Sequence, residues 1–260
     1  MRWPWSGERE APLLHVALDD GDGPVVILVH GIASSSITFQ KLVPRLATAH
    51  RVIALDILGF GGSPSPARAT YTVEEHARAL SATIRSLRLT APFVLVGHSL
   101  GGLIASRYAA DHPESVARLV LVSTPIYLPS KSFGATRDRT AMDTYLRVYE
   151  YLRENQSFTM GAARALNRIS PIRNVLSVSE QNWTAFTLSL QNAIESQTSI
   201  SDIARVRVPV EIVYGKLDPF LMPGGIQIVS TMRHVTVHAV DASDHLLRNR
   251  LATVVAKVVG

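Results

Sequence analysis

The sequence predicts an α/β protein: a doubly wound, mostly parallel sheet with an inserted helical cap. Three observations lead there. Six short β-branched runs recur along the chain, segments of helical periodicity separate the first of them, and the rhythm stops after Pro125 for about 80 residues. The runs are Val25–His30, Val52–Leu55, Phe93–Val96, Leu119–Val122, Val210–Tyr214 and Val235–Val240. Continuous Val/Ile/Leu runs without polar alternation suit parallel strands covered on both faces. Leu13–Leu18, leading into the turn Asp19-Asp-Gly-Asp-Gly23, reads as an additional edge strand.

The crossover helices follow from spacing. Phe39, Leu42, Val43 and Leu46 repeat at helical intervals, as do Val73, Ala77, Leu80, Ile84 and Leu87. A helix from Ser99 through Leu103, Ile104 and Tyr108 stops before Pro113, which has no N–H for the next backbone bond. Residues 1–127 and 204–260 are therefore assigned to the core and 128–203 to the cap. Within the cap, Met142, Tyr145, Leu146, Tyr149 and Leu152 form an apolar face, with Asp143, Arg147, Glu150 and Arg153 on the other. Further helices are expected near Met160–Arg168 and Ser179–Ser196, and another after His245.

Composition limits the chemistry. The 260 residues are 47% hydrophobic and contain no cysteine, which excludes disulfides, thiolate metal sites and cysteine nucleophiles. The net charge of +5 is spread along the chain without a basic run, so nucleic acid is not an expected partner. No apolar run approaches the roughly 20 residues of a membrane span. The opening Met1–Glu10 lacks the apolar core of a signal peptide, and the expectation is a soluble cytoplasmic protein acting on a small molecule. Neither His-Glu-x-x-His nor a phosphate-binding Gly-rich lysine loop occurs, so neither a metal nor an organic cofactor is expected. Nothing in the chain fixes an oligomeric state.

Phe93-Val-Leu-Val-Gly-His-Ser-Leu-Gly-Gly102 places Gly-x-Ser-x-Gly between a buried strand and a helix. That context makes Ser99 a candidate nucleophile, carried on a sharp turn whose glycines avoid collisions. A serine needs a base. Of nine histidines, His245 follows the last strand and should return to the carboxyl edge of the sheet. Asp244 beside it suits a helix N-cap. His98 adjoins the serine and should point elsewhere, and His30 belongs to a strand-end His-Gly. His15, His50, His76 and His112 read as surface or capping residues, while His234 and His238 bracket the last strand. Asp218, in Gly215-Lys-Leu-Asp-Pro219, is the candidate acid that holds the imidazole tautomer, with Asp241 the next choice. Developing oxyanion charge needs two backbone donors, for which Leu100 and Ile32 are placed.

Taken together, His30-Gly31, Asp56-Ile-Leu-Gly-Phe-Gly-Gly-Ser63, Gly97-His-Ser-Leu-Gly-Gly102, Gly215-Lys-Leu-Asp-Pro219 and His245 resemble the α/β-hydrolase superfamily over nearly the whole chain. The resemblance implies Ser99 as nucleophile, Asp218 as acid, His245 as base and Ile32 with Leu100 as oxyanion hole. For the Asp56 segment it implies a structural turn without chemistry. Serine at the elbow argues against the branches with a carboxylate nucleophile, the haloalkane dehalogenases and epoxide hydrolases. Ser243-Asp-His245 departs from relatives that carry small residues, often glycine, before the histidine. Relatives that cleave carbon–carbon bonds often have a tryptophan after that histidine and a cap arginine. Here Leu246 follows, and Arg164, Arg168 and Arg173 read as surface charges. Ester hydrolysis is thus favoured over carbon–carbon cleavage. Cofactor-free perhydrolysis and a ligand receptor with little turnover share the same motifs. Tyr145, Tyr149, Phe158, Met160, Trp183 and Phe186 are candidates either for an apolar pocket or for the seam between cap and core.

Overall fold

A computed structural model describes residues 11–127, 136–169, 176–196 and 198–260. The strands are β1 (Val16–Asp20), β2 (Val25–Val29), β3 (Arg51–Leu55), β4 (Phe93–His98), β5 (Val116–Val122), β6 (Val210–Gly215) and β7 (Val235–Val240). They form one sheet in the order β1-β3-β2-β4-β5-β6-β7. Every neighbouring pair is parallel except β1 with β3. The helices are α1 (Val43–Leu46), α2 (Val73–Ser86), α3 (Leu100–Asp111), α4 (Thr136–Glu154), α5 (Gln156–Ile169), α6 (Trp183–Ser189), α7 (Ser199–Arg205), α8 (Pro223–Ser230) and α9 (Asn249–Val259).

The continuous apolar runs do become strands buried on both faces. In β2, Ile27 and Val29 pack on the side of α2 and α3, while Val26 and Leu28 pack on the side of α1 and α9, all four fully buried. Each such side chain contributes about 1.5–3 kcal/mol of burial. The edge strand begins three residues later than its apolar spacing suggests. Leu14 N–H is taken by Thr83 Oγ1 at 2.8 Å, and the β1 register against β3 is fixed further along by Arg51 gripping both oxygens of Asp19, at 2.8 and 2.7 Å.

The periodic stretch around Phe39 forms a 3-10 turn (Ser36–Phe39) and the single-turn α1, not one helix. Pro44 in the first turn of α1 lacks the N–H that would continue a helix from residue 40. Phe39, Leu42 and Leu46 are nevertheless buried as their spacing requires. Helix α2 has matching ends, with Thr72 Oγ1 accepting from Glu75 N–H, acidic Glu74 and Glu75 in the first turn and Arg85 in the last.

Between β5 and β6 the chain inserts α4, α5, α6 and a π-helical turn (Leu190–Glu195) before α7 returns it to the sheet. In α4, Tyr149 is buried and Tyr145, Leu146 and Leu152 are half-buried, whereas Asp143, Arg147 and Glu150 are exposed. Arg153 departs from the polar face, turning toward Glu195 at 3.1 Å. Arg173 and the Met142 side chain lie outside the described residues. Among the described residues, no helix is long and apolar enough to cross a membrane.

Candidate active site

Parallel strands deliver their following loops to one edge of the sheet, and the candidate residues come from the loops after β2, β4, β6 and β7. Ser99 sits between β4 and α3 with φ +54° and ψ −123°, a conformation that costs a non-glycine residue about 1–3 kcal/mol. Two backbone bonds hold it: Ser99 N–H to the Val122 carbonyl and Gly102 N–H to the Ser99 carbonyl, both 2.9 Å. The glycines of the motif are there for close approach. A Cβ on Gly97 would lie 2.6 Å from Gly102 Cα, and one on Gly101 would lie 2.5 Å from the His30 carbonyl oxygen.

Asp218 and His245, 27 residues apart, meet at the same edge. His245 Nδ1–H donates to Asp218 Oδ2 at 2.8 Å, and Phe220 N–H donates to Asp218 Oδ1 at 2.9 Å. The Asp218 side chain is fully shielded from solvent. With Nδ1 engaged, Nε2 is the ring atom left to accept a proton. The two loops are stitched by Lys216 N–H to the Val240 carbonyl and Leu217 N–H to the Ser243 carbonyl, at 3.0 and 2.9 Å. Asp241 is instead exposed and paired with Lys216 Nζ at 2.8 Å.

The unusual Ser243-Asp-His245 is accommodated because Asp244 turns outward. Its Oδ1 accepts Leu246 N–H at 3.1 Å and its Oδ2 pairs with Arg248 at 2.9 Å. Asp244 is therefore not an N-cap, since α9 starts later, with Arg248 in that position.

Gly31 abuts the serine, where a Cβ would come within 2.8 Å of Ser99 Cβ. Ile32 follows on this loop and Leu100 opens α3, where first-turn N–H groups have no acceptor inside the helix. The loop is pinned from below by His30, whose Nδ1–H donates to the Gly31 carbonyl at 2.8 Å and whose Nε2 accepts Ile57 N–H at 3.0 Å. Burial holds the His30 ring below the usual histidine range, against the opposing pull of the Gly31 carbonyl and Asp56. From the insertion, Ser177 N–H bonds to the Ala33 carbonyl. Asp56 organises the neighbouring turn, accepting from Ser36 N–H, Gly62 N–H and His15 Nδ1–H at 2.8, 2.9 and 3.0 Å. Burial pushes its carboxyl up, but Gly62, His15, His30 and Ser36 together bring it below the ordinary value.

The remaining histidines lie elsewhere. His112 caps α3, His234 bonds the Ile203 carbonyl and His238 bonds Glu211. Against the expectation from its position, His76 is buried within α2 against Ser189 Oγ at 3.2 Å and is neither a surface nor a capping residue. His98 has a partner that sequence spacing does not reveal, the backbone of His245.

Of the insertion's large apolar residues, Tyr149 and Phe186 are buried and Tyr145, Met160 and Trp183 pack partly against the core. Phe158 is 55% exposed and stacks edge-on with Tyr151 instead of lining a seam. Arg164 and Arg168 are exposed. Tyr127, after β5, shares a 2.7 Å hydroxyl contact with Tyr149 and lies parallel to Tyr145, whose hydroxyl donates to the Pro219 carbonyl beside Asp218. Burial pushes the Tyr149 hydroxyl up to about 12, so it stays protonated. A surface cavity of about 850 Å³ lies away from this edge, along Glu74, Arg78, Arg107 and Tyr108, and contains no candidate residue. Among the described residues, no group of three or more ligating side chains could hold a metal ion.

Comparison with known proteins agrees with this architecture. An uncharacterized protein of Mycobacterium tuberculosis is 41% identical over 103 residues, which is 40% of this chain. The match spans only 30% of that protein's length. Lipase 3 of a Moraxella species is 24% identical over 236 residues, covering 86% of this chain and 71% of the lipase. Among solved structures, a thermophilic esterase from Thermogutta terrifontis has a TM-score of 0.72 at 24% identity, covering 95% of this chain and 92% of its own. A serine hydrolase involved in carbazole degradation has a TM-score of 0.69 at 23% identity, covering 93% and 91%. The model of the family described as the alpha/beta hydrolase fold matches residues 24–247, and the chain belongs to that family.

Proposed function

We propose that the chain is a serine hydrolase that cleaves a small, moderately apolar ester, with Ser99 as nucleophile, His245 as base, Asp218 as acid and Ile32 with Leu100 as oxyanion donors. The observation that carries this reading is the 2.8 Å contact between Asp218 and His245 Nδ1 at the sheet edge that also presents Ser99 in its strained turn. Asp218 fixes the tautomer in which Nε2 is the acceptor. His245 Nε2 takes the Ser99 hydroxyl proton as Oγ bonds to the ester carbon, and the carbonyl electron pair moves to oxygen. That oxyanion is received by the Ile32 and Leu100 N–H groups, a donor in such a position being worth about 2.7–4 kcal/mol. The pair returns, the bond to the alcohol breaks, and the alcohol leaves with the proton from Nε2. Water then attacks the acyl-enzyme, giving a proton to Nε2. Collapse frees the acid and returns the proton to Ser99.

The Moraxella lipase and the Thermogutta esterase support ester chemistry by their names. Carbon–carbon cleavage would call for a cap cation on a substrate carboxylate. Among the described side chains, Arg153 is committed to Glu195 and Arg164 and Arg168 are exposed, which favours the ester reading. We assign residues 128–203 to the cap over Ser99, and its aromatic seam at Tyr127, Tyr145 and Tyr149 to the apolar side of substrate recognition.

Stopped-flow hydrolysis of short and medium p-nitrophenyl esters tests the proposal. A burst stoichiometric with enzyme, absent in Ser99→Ala, is expected. Turnover that survives Ser99→Ala overturns it, and a folded wild type inert toward every ester, with tight ligand binding, would indicate a receptor. An acyl-enzyme that prefers peroxide to water would indicate a perhydrolase.

A further inference from the structure

His98 precedes Ser99, and the mechanism above leaves it without a role. Its ring is buried, and Nε2 lies 2.9 Å from the carbonyl oxygen of His245, 147 residues further along the chain. A carbonyl only accepts, so Nε2 carries the proton and Nδ1 of the neutral ring is a bare lone pair. Nδ1 is buried without a hydrogen-bond partner among the described residues, on the side facing Gly31, where a Cβ would come within 3.3 Å of it. The rings of His98 and His245 lie 5.1 Å apart, tilted by 55°. One imidazole thus joins the nucleophile through a peptide bond, the base through its carbonyl, and the Gly31 loop by packing.

An apolar side chain would fill this space without burying a polar nitrogen, which carries a desolvation penalty. The carbonyl it serves belongs to an irregular loop, Asp241–Arg248, where no strand ladder supplies a donor. We propose that His98 is a positioning residue, whose Nε2–H bond to the His245 carbonyl fixes the base relative to Ser99 and the Gly31 loop. This rests on the assignment of Ser99 and His245 made above. Burial and the neighbouring His245 lower the His98 ring to about 3, with His30 acting the same way and the His245 carbonyl and Asp218 opposing. His98 therefore stays neutral while His245 takes up its proton, and no second cation opposes the imidazolium.

Three variants test the role. His98→Leu removes the donor, His98→Asn keeps an amide too short to reach, and His98→Gln keeps an N–H at the reach of Nε2. The first measurement needs no substrate: imidazole NMR of the isotope-labelled full chain, following the His245 Nδ1 proton held by Asp218 and the titration of that ring. The Leu and Asn variants are expected to exchange this proton faster with water and to shift the His245 midpoint, and His98→Gln to restore both. The second is p-nitrophenyl butyrate turnover, where kcat should fall about 10- to 100-fold in the Leu and Asn variants, as for small misplacements of reacting groups. KM should move less than about threefold, since no substrate contact is lost. If the His245 signal and midpoint are unchanged in folded Leu or Asn variants, or if His98→Gln falls as far as they do, the proposal is overturned. Should Ser99→Ala retain turnover, the hydrolase reading fails, while the NMR comparison still decides whether His98 holds His245.

Discussion

At the carboxyl edge of the sheet the candidate residues are held mainly by backbone, whereas the helices inserted between β5 and β6 hold together largely through side chains. Ser99 is fixed by two main-chain bonds, and the loops bearing Asp218 and His245 are stitched to each other by two more. Around them Ile27, Leu95, Leu119 and Val213 are fully buried. In the insertion, the described contacts include the Tyr127–Tyr149 hydroxyl pair, the Arg153–Glu195 ion pair and the Asn182 amide on Ser177 and Ser179. Backbone bonds survive substitution of the residues that make them, and side-chain bonds do not. The loops at the sheet edge thus keep their paths through bonds that depend little on residue identity, and the side-chain contacts of His30, Asp218 and His98 are added to that frame.

The largest effect is expected at Asp218, the proposed acid. Asp218→Asn should lower kcat for a p-nitrophenyl ester by about 10³–10⁴-fold by stabilising the wrong His245 tautomer. Asp241→Asn, on an exposed carboxylate, should leave turnover within about twofold. Comparable losses in both variants would remove the distinction.

Next comes acid stability, which probes the sheet and its seam with the insertion together. His76 and His98 are both lowered to about 3 in the folded chain, chiefly by burial. Their folded values lie below the unfolded one near 6.5, so between these limits the unfolded chain binds more protons, and stability falls as pH falls. Each contributes a slope of about 1.4 kcal/mol per pH unit in that window. Urea unfolding at pH 7 and pH 5 should therefore show a loss of about 4 kcal/mol, reduced by about half in His76→Gln. A flat profile would mean these rings are hydrated in solution.

A smaller effect is expected in the insertion. Arg153→Met leaves Glu195 half-buried without its cation, and burial already raises that carboxyl. A loss of about 2 kcal/mol in thermal or urea unfolding is expected, largely recovered in the double variant with Glu195→Leu. At the small end, Phe158→Ser on the exposed face should change stability by less than about 0.5 kcal/mol and leave KM unaltered. A large rise in KM would put Phe158 in substrate binding.

The elements that were legible share one property: burial alone defines them. In Val25–Val29 and Phe93–His98 every residue but Val25 and Val94 is buried, and α2 repeats its apolar residues along one buried face. Helix α8 has no periodic signature because Gly224 and Gly225 interrupt its pattern, yet Gly225 is required where the helix backbone meets the Ile126 carbonyl. Phe158 is exposed although its residue type suits a seam, since an aromatic residue on an amphipathic helix carries no mark of whether a neighbour covers it. The partner of His98 had no local signal, lying 147 residues away.

The sequence by itself determined the succession of the core strands, the Gly-x-Ser-x-Gly turn and the set of candidate side chains, because periodicity and backbone restrictions act over a few residues. Asp218 is the first choice of acid on sequence order, and the fold brings it to His245; tertiary structure alone decided that Asp244 turns outward and that His98 reaches the His245 carbonyl. Those pairings depend on where loops from separate strands come to rest at one edge. Loop paths are set by the packing of the whole sheet, which no short stretch of sequence encodes.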